Sequence, residues 1–201
     1  MKHIIPLFYL ILSPIAEPCF AQATEILAVN DVHRIEYHWE GTENMEEIRD
    51  LFLESFIDNY QRLGLTEQDL GTNDIRAVLN NYWIEELESL EKKTVRWLVA
   101  KKEDEIVGYV SFNFEKAPEE VFLQLLCVKP LEQKQGIGTH LVNSVLQIER
   151  VCKVSLVTRR SNSSAIAFYK KLGFEKCLSL DKKANIDQHL CVQLEMILER
   201  L

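Results

Sequence analysis

Val121-Phe122-Leu123-Gln124-Leu125-Leu126-Cys127-Val128 runs almost unbroken in apolar character and stops at Lys129-Pro130; Gln133-Lys134-Gln135-Gly136-Ile137-Gly138-Thr139 follows. So short and apolar a run is expected of a strand buried on both faces. The glycines then open an amphipathic helix, with Ile137, Leu141, Val145 and Ile148 at helical spacing. In such a junction backbone N–H groups turn inward, and a ligand approaches with no Cβ in its way. First-turn amides lack helical partners, and the helix dipole adds partial positive charge beside them. The junction therefore reads as a seat for phosphate or pyrophosphate, with Gln133 and Lys134 as side-chain donors and Thr139 as a hydroxyl. It lacks the Gly-Lys-Ser/Thr ending of a P-loop, which disfavours nucleotide triphosphate hydrolysis. Two glycines with no parallel repeat around them do not make the dinucleotide fingerprint either. A glycine-assisted helix start without a ligand gives the same local pattern, so the flanking sequence has to separate the two.

Working outward, the chain from Ala28 to Glu40 alternates as a half-buried strand, with His33, Ile35, Tyr37 and Trp39 on one face. Gly41-Thr42 reads as a turn with a helix cap. Met45, Ile48, Phe52, Phe56, Tyr60 and Leu63 recur at helical spacing until Gly64. A second helix carries Ile75, Leu79, Trp83, Leu87 and Leu90 on one stripe, and the acidic run Glu85 to Glu91 reads as its solvated face. From Thr94 the period becomes two, giving antiparallel strands at Val95 to Lys101 and Glu105 to Phe114 around Glu103-Asp104. Ala117-Pro118 breaks that run. Beyond the glycine loop come a strand at Val154 to Thr158, a helix at Ser161 to Leu172 closed by Gly173, and strands at Phe174 to Leu180 and His189 to Leu198. The order predicts an α/β fold, a mixed central sheet of about seven strands with helices on both faces.

Hydrophobic residues are 47% and charged residues 27% of 201, ordinary values for a globular chain that buries its own core. One domain with appendages suits this length. A net charge of -8 and a pI near 5.2 argue against broad nucleic-acid binding, which needs a basic stripe. They suit a cationic acceptor such as an amine.

Downstream, Asn162-Ser163-Ser164-Ala165, Phe168-Tyr169 and Leu172-Gly173-Phe174 form a second cluster. With Val121 to Pro130 and Gln133 to Gly138, it resembles the signature of the GNAT acyltransferase superfamily, whose second half is Asn-x-x-Ala followed by Tyr-x-x-x-Gly-Phe. The resemblance covers Thr94 to the end, and the upstream strand and helices fit the family's variable amino-terminal part. It implies the GNAT acyl-CoA N-acyltransferase fold over residues 28–201, with a coenzyme A-binding core at about 94–180. It also implies transfer of an acetyl group from acetyl-CoA to an amine acceptor directly, in a ternary complex, with no metal.

On that resemblance, the backbone of Leu126, Cys127 and Val128 would pair with the amides of pantetheine. Gln133, Lys134, Gln135, Gly136, Ile137, Gly138 and Thr139 would hold the pyrophosphate. Asn162 would hydrogen-bond the pantetheine arm or the adenine side. Tyr169 would protonate the departing thiolate, a role that a phenol beside the sulfur can fill. An N–H of Leu126 or Cys127 would stabilise the oxyanion. Many members carry Arg where Gln133 stands, so part of the phosphate grip would fall to backbone N–H groups. The acceptor would be an amine-bearing small molecule, peptide or protein, selected by the helices of about 42–93 with Tyr60, Tyr82 and Trp83. A catalytically silent acyl-CoA-binding protein, or an exported interaction protein on the same scaffold, is the alternative.

An amine must shed a proton before it attacks. Glu115, Glu119 and Glu120 lie near the edge of the buried strand and Gln124 within it. His33 and His38 fall on opposite faces of the first strand, so at most one faces the core, and solvated glutamates and surface histidines give the same pattern. Cys127 reads as structural, since direct transfer needs no acyl-enzyme. Cys127, Cys152, Cys177 and Cys191 show no metal or redox spacing, and pair in disulfides only if the chain is exported. Met1-Lys2-His3, the apolar run Ile4 to Ala16 and Ala21-Gln22-Ala23 have the three parts of a secretory signal peptide over residues 1–23. The run is short for a membrane span and is broken by Pro6 and Pro14. Cleavage there predicts a periplasmic or secreted protein. Otherwise the chain is cytoplasmic, where acetyl-CoA is found.

Overall fold

The structure is a computed structural model and describes residues 35–40, 44–92, 94–114, 119–177 and 191–198. The leader read at 1–23, the turn at 41–42, His33, Glu115 and the break at 117–118 lie outside the described residues. So do parts of the first strand and of the last two.

Among the described residues seven strands form one sheet: β1 (Ile35–Glu40), β2 (Val95–Lys102), β3 (Glu105–Phe114), β4 (Glu120–Val128), β5 (Lys153–Arg159), β6 (Glu175–Lys176) and β7 (Cys191–Ile197). Their spatial order is β1-β2-β3-β4-β5-β7-β6. β1 to β4 are a continuous antiparallel meander, β4 and β5 are parallel, and β7 is antiparallel to both β5 and β6. Helices α1 (Met45–Arg62), α2 (Ile75–Glu91), α3 (Ile137–Leu146) and α4 (Ser163–Lys171) supply the outer layers. The mixed seven-strand sheet expected from the pattern is the one observed.

The turn between β2 and β3 is set by Glu103 and Asp104, both at positive φ (52° and 69°). Two consecutive left-handed residues match the twist of a tight hairpin. Each face of the sheet carries its own core. Leu98, Val110 and Phe112 pack with Ile137, Leu141 and Tyr169 on the α3 and α4 side. Trp97, Val99 and Tyr109 pack with Phe52, Leu79 and Trp83 on the α1 and α2 side. Full burial of a side chain such as Leu98 or Leu79 contributes about 1.5–3 kcal/mol, so neither core is incidental.

Glu86 does not belong to a solvated acidic face: it is 5% exposed. Its position is three residues after Trp83, on the buried stripe of α2. Its Oε1 accepts from the Trp97 indole N–H at 2.8 Å and from the Ser111 hydroxyl, which offsets the loss of water. Burial still pushes its carboxyl above the usual range, against the lowering effect of those two donors.

Candidate functional site

β4 and β5 pair only from Glu120↔Lys153 to Leu123↔Leu156, although β4 continues to Val128 and β5 to Arg159. Beyond Leu123 the two strands part, leaving a wedge-shaped opening in the middle of the sheet. The cause is local. Ser111 lies opposite Leu125 and Phe112 opposite Leu123, so Gln124 is an extra residue that bulges β4. A bulge bends its strand and increases the twist. It also resets the alternation: Val121 and Leu123 face the α3 and α4 core, whereas Leu125 and Cys127 face the α1 and α2 core. Leu126 and Val128 then pack toward α3. From Gln124 onward β4 keeps only its β3 partner, so its other backbone edge lines the opening.

The glycine loop stands at the mouth of this opening. Pro130–Glu132 form one 3₁₀ turn, tied down by the Lys102–Glu132 ion pair at 2.9 Å. Gln133 is latched from two directions. Its Nε2 donates to the Val128 carbonyl at 3.1 Å, and its Oε1 accepts from Arg62 at 3.4 Å. Its amide is thus engaged with the protein, and it fixes the loop to the end of β4 and the end of α1. Lys134 and Gly136 both take left-handed conformations, at φ 65° and 89°. His140 N–H is the first to close a turn of α3, on the Gly136 carbonyl at 3.0 Å. The amides of Ile137, Gly138 and Thr139 precede that bond, and no side chain caps them. Concave runs of such N–H groups are anion seats.

Gly108 on β3 brings α3 this close. A Cβ there would lie 3.0 Å from Ile137 and 3.2 Å from the Cys127 carbonyl. Nothing in its sequence context marked Gly108 or Arg62 for a role at the loop; both act across long separations.

α4 borders the opening from the far side. The Asn162 Oδ1 accepts from the Ala165 N–H at 3.1 Å, capping the helix and leaving its NH₂ as the group for an external partner. Gly173 at φ 99° ends α4, with its N–H on the Lys170 carbonyl and Phe174 N–H on the Tyr169 carbonyl. That hydrogen-bond pair is the Schellman stop, which brings the residue after the glycine onto the last helical turn. Accordingly Phe174 packs on Tyr169 with ring centroids 5.5 Å apart, and Phe168 holds its other side at 5.0 Å. Tyr169 is 8% exposed. Burial, and to a smaller degree the Cys127 thiol, push its phenol well above the ordinary value. It keeps its proton across the neutral range.

The remaining candidates separate by position. Glu119 and Glu120 sit at the paired end of β4, where Glu120 meets Lys153 at 3.6 Å. His38 pairs with Glu36 at 3.3 Å on β1, the far edge of the sheet. Gln124 stands at the opening itself, its Oε1 3.4 Å from the Ser111 hydroxyl that also contacts Glu86. Burial pushes the Cys127 thiol up to about 12, which leaves it protonated and unreactive at neutral pH. In the native protein a thiol-alkylating reagent is therefore expected to modify exposed Cys152 and to spare buried Cys127 until the chain unfolds. Peptide mapping by mass spectrometry reads the two sites separately, and equal labelling of both would contradict a structural Cys127. Among the described residues no group of three or more His, Cys, Asp or Glu is arranged to hold a metal. Nor is any helix among them long and apolar enough to cross a membrane.

Comparison with known proteins adds to this geometry. The family model described as acetyltransferase (GNAT) family matches residues 45–174, well over half of the chain. The structure resembles the PaiA N-acetyltransferase of Thermoplasma acidophilum, solved in complex with coenzyme A, at TM-score 0.66 and 19% identity over 81% of this chain and 98% of that one. An acetyltransferase from Thermus thermophilus superposes at TM-score 0.60 with 17% identity, over 82% and 97% of the two chains. Ard1 from Thermoplasma volcanium gives 0.56 and 16%, over 83% and 99%. At such identities these likenesses speak for the fold.

Proposed function

Because the chain belongs to the acetyltransferase (GNAT) family, we propose that it moves an acetyl group from acetyl-CoA to an amine acceptor, by direct attack with both substrates bound. The parting of β4 from β5 at Gln124 carries this reading. It leaves a strand edge free, with an uncapped helix start at one end and Tyr169 at the other side. The residues fit coenzyme A. Polar backbone groups of Leu126 to Val128 offer a β-like edge to the pantetheine amides. The concave amides from Gly136 to Thr139 offer an anion seat to the pyrophosphate, with Lys134 exposed beside them. Asn162 retains its NH₂ for the arm or the adenine side.

For the chemistry, the neutral amine attacks the thioester carbonyl and the carbonyl oxygen gains charge. Successive N–H groups of a strand point to alternate edges, so one of Leu126 and Cys127 directs its N–H into the opening, toward that oxygen. As the carbon–sulfur bond breaks, the Tyr169 phenol gives its proton to the sulfur, while the proton that the acylated nitrogen sheds passes to solvent water, from which the phenolate is reprotonated. Burial keeps this phenol protonated across the neutral range, so the proton it would donate is in place when the sulfur departs.

The test has two parts. Calorimetric titration with coenzyme A is expected to show binding near one per chain. Incubation with isotope-labelled acetyl-CoA and an amine panel is expected to give labelled N-acetyl products by mass spectrometry. Binding without any labelled product would favour the silent acyl-CoA-binding alternative. Failure to bind coenzyme A would remove the reading of the loop.

A further inference from the structure

On the opposite face of the opening, where α1 and α2 cover the sheet, one cation has an unusual setting. Arg159 is the last residue of β5, three beyond Leu156, the last one paired to β4. Val154 and Leu156 face the α3 and α4 core, so alternation turns Arg159 toward α1 and α2. There its guanidinium lies over the Tyr60 ring, 5.9 Å from the centroid. Its charge also pulls down the phenols of Tyr60 and Tyr82, which burial otherwise raises. Two phenols from two helices thus converge on one guanidinium at the free end of the strand. Arg159 has no carboxylate partner among the described residues, whereas Arg62, Lys102, Lys129 and Lys153 all do.

We propose that Arg159, with Tyr60 and Tyr82, is a subsite for an anionic oxygen group on the acceptor. The acceptor is then an amine that also carries a carboxylate or a phosphate, and this rests on the acetyl-transfer reading above. A guanidinium has five N–H donors, so one held against an aromatic ring still presents a fork that takes carboxylate or phosphate bidentately. The protein as a whole, at net charge -8, draws cations in. A guanidinium without a carboxylate partner in the opening then discriminates among them in favour of zwitterions and disfavours polycations. Tyr60 also borders a cleft of about 260 Å³ between the end of α1 and the start of α2; lined by Ile57, Leu65 and Ile75 together with Glu67, Asp74 and Arg76, it is separate from the Arg159 guanidinium.

The experiment compares acetyl transfer to matched amines in the full chain and in Arg159→Ala and Arg159→Lys. L-Phenylalanine is set against phenethylamine, and phosphoethanolamine against ethanolamine. The wild type is expected to favour an anionic member by at least about 10-fold in kcat/KM. Arg159→Ala is expected to lose about 10- to 100-fold on that member, the span of a charge-assisted contact, mainly through KM. The rate on the counterpart that lacks the anionic group, and coenzyme A affinity, should stay unchanged. Arg159→Lys should recover part of the loss. The pair that responds tells carboxylate from phosphate. Equal kcat/KM within both pairs, or transfer to neither with coenzyme A bound, would overturn the subsite. Weaker coenzyme A binding in Arg159→Ala would overturn it too, by placing Arg159 on the cofactor. Absence of coenzyme A binding by the wild type would instead overturn the acetyl-transfer reading itself.

Discussion

Tyr169→Phe is expected to lower kcat by about 100-fold or more, within the range for loss of a general acid, while coenzyme A affinity stays the same. The substitution removes one oxygen and keeps the ring, so the contacts with Phe168 and Phe174 remain. The backbone stop at Gly173 does not involve the hydroxyl. Thermal unfolding should therefore move by little, which separates chemistry from folding. The pH dependence supplies a second check. A phenol raised by burial is protonated at neutral pH in both folded and unfolded chains, and only above about pH 10 does the unfolded chain lose a proton that the folded chain keeps. Stability is thus unaffected by this group near neutrality and falls only in strong alkali. The rise of rate with pH belongs to the amine, and the variant should retain it at lower amplitude. Steady-state rates from about pH 6 to 9, the range in which the phenol stays protonated, measure this, and a kcat equal to wild type would end the acid role for Tyr169.

The second large effect is expected in the loop, where two glycines differ in what they do. Gly136 sits at φ 89° with nothing within 4 Å of a built Cβ. Alanine there meets no clash, only the left-handed backbone penalty of about 1–2 kcal/mol. The loop can relieve that strain by turning Gly136 over, which swings the amides that precede α3 away from their common focus. Coenzyme A affinity is expected to fall about 10-fold or more, since about 1.4 kcal/mol is a factor of 10. Gly138 is different: its Cβ would lie 3.6 Å from Phe168 and from Val128, ordinary contact distances. Gly138→Ala should fold as well as wild type and bind coenzyme A more tightly than Gly136→Ala does. Calorimetry and thermal denaturation on the pair decide it; the reverse ranking would mean that the loop does not hold phosphate through its backbone.

Much of this architecture is visible in the residues themselves. Helices α1 and α2 follow their apolar stripes, and β3 coincides with the alternating run from Glu105 to Phe114. Those features depend on neighbours a few positions apart, which is the range over which periodicity carries information. What escapes such a reading depends on neighbours far apart in sequence. Gln124 looks like one polar residue in a buried strand. Only its alignment against Ser111 and Phe112 reveals that it is supernumerary. Glu86 lies among other glutamates, and only Trp97 and Ser111 on the sheet beneath account for its burial. Gln133 stands where a phosphate donor is expected, and its amide also binds Val128 and Arg62, partners that its sequence neighbours do not announce. Arg159 acquires its setting from Tyr60 on α1 and Tyr82 on α2, both far upstream of β5 in the chain.

The four-pair seam between β4 and β5 has a mechanical consequence. It divides the sheet into two jaws, β1 to β4 on one side and β5 to β7 on the other, joined at one end and gaping at the other. Arg159 against Tyr60 is a cross-link at the gape. A molecule seated between the jaws would act as a splint, replacing the rungs the ladder lacks beyond Leu123. A ligand that pairs with the free edge of β4 is then expected to raise the unfolding temperature, since it adds partners along this seam and binds only the folded chain.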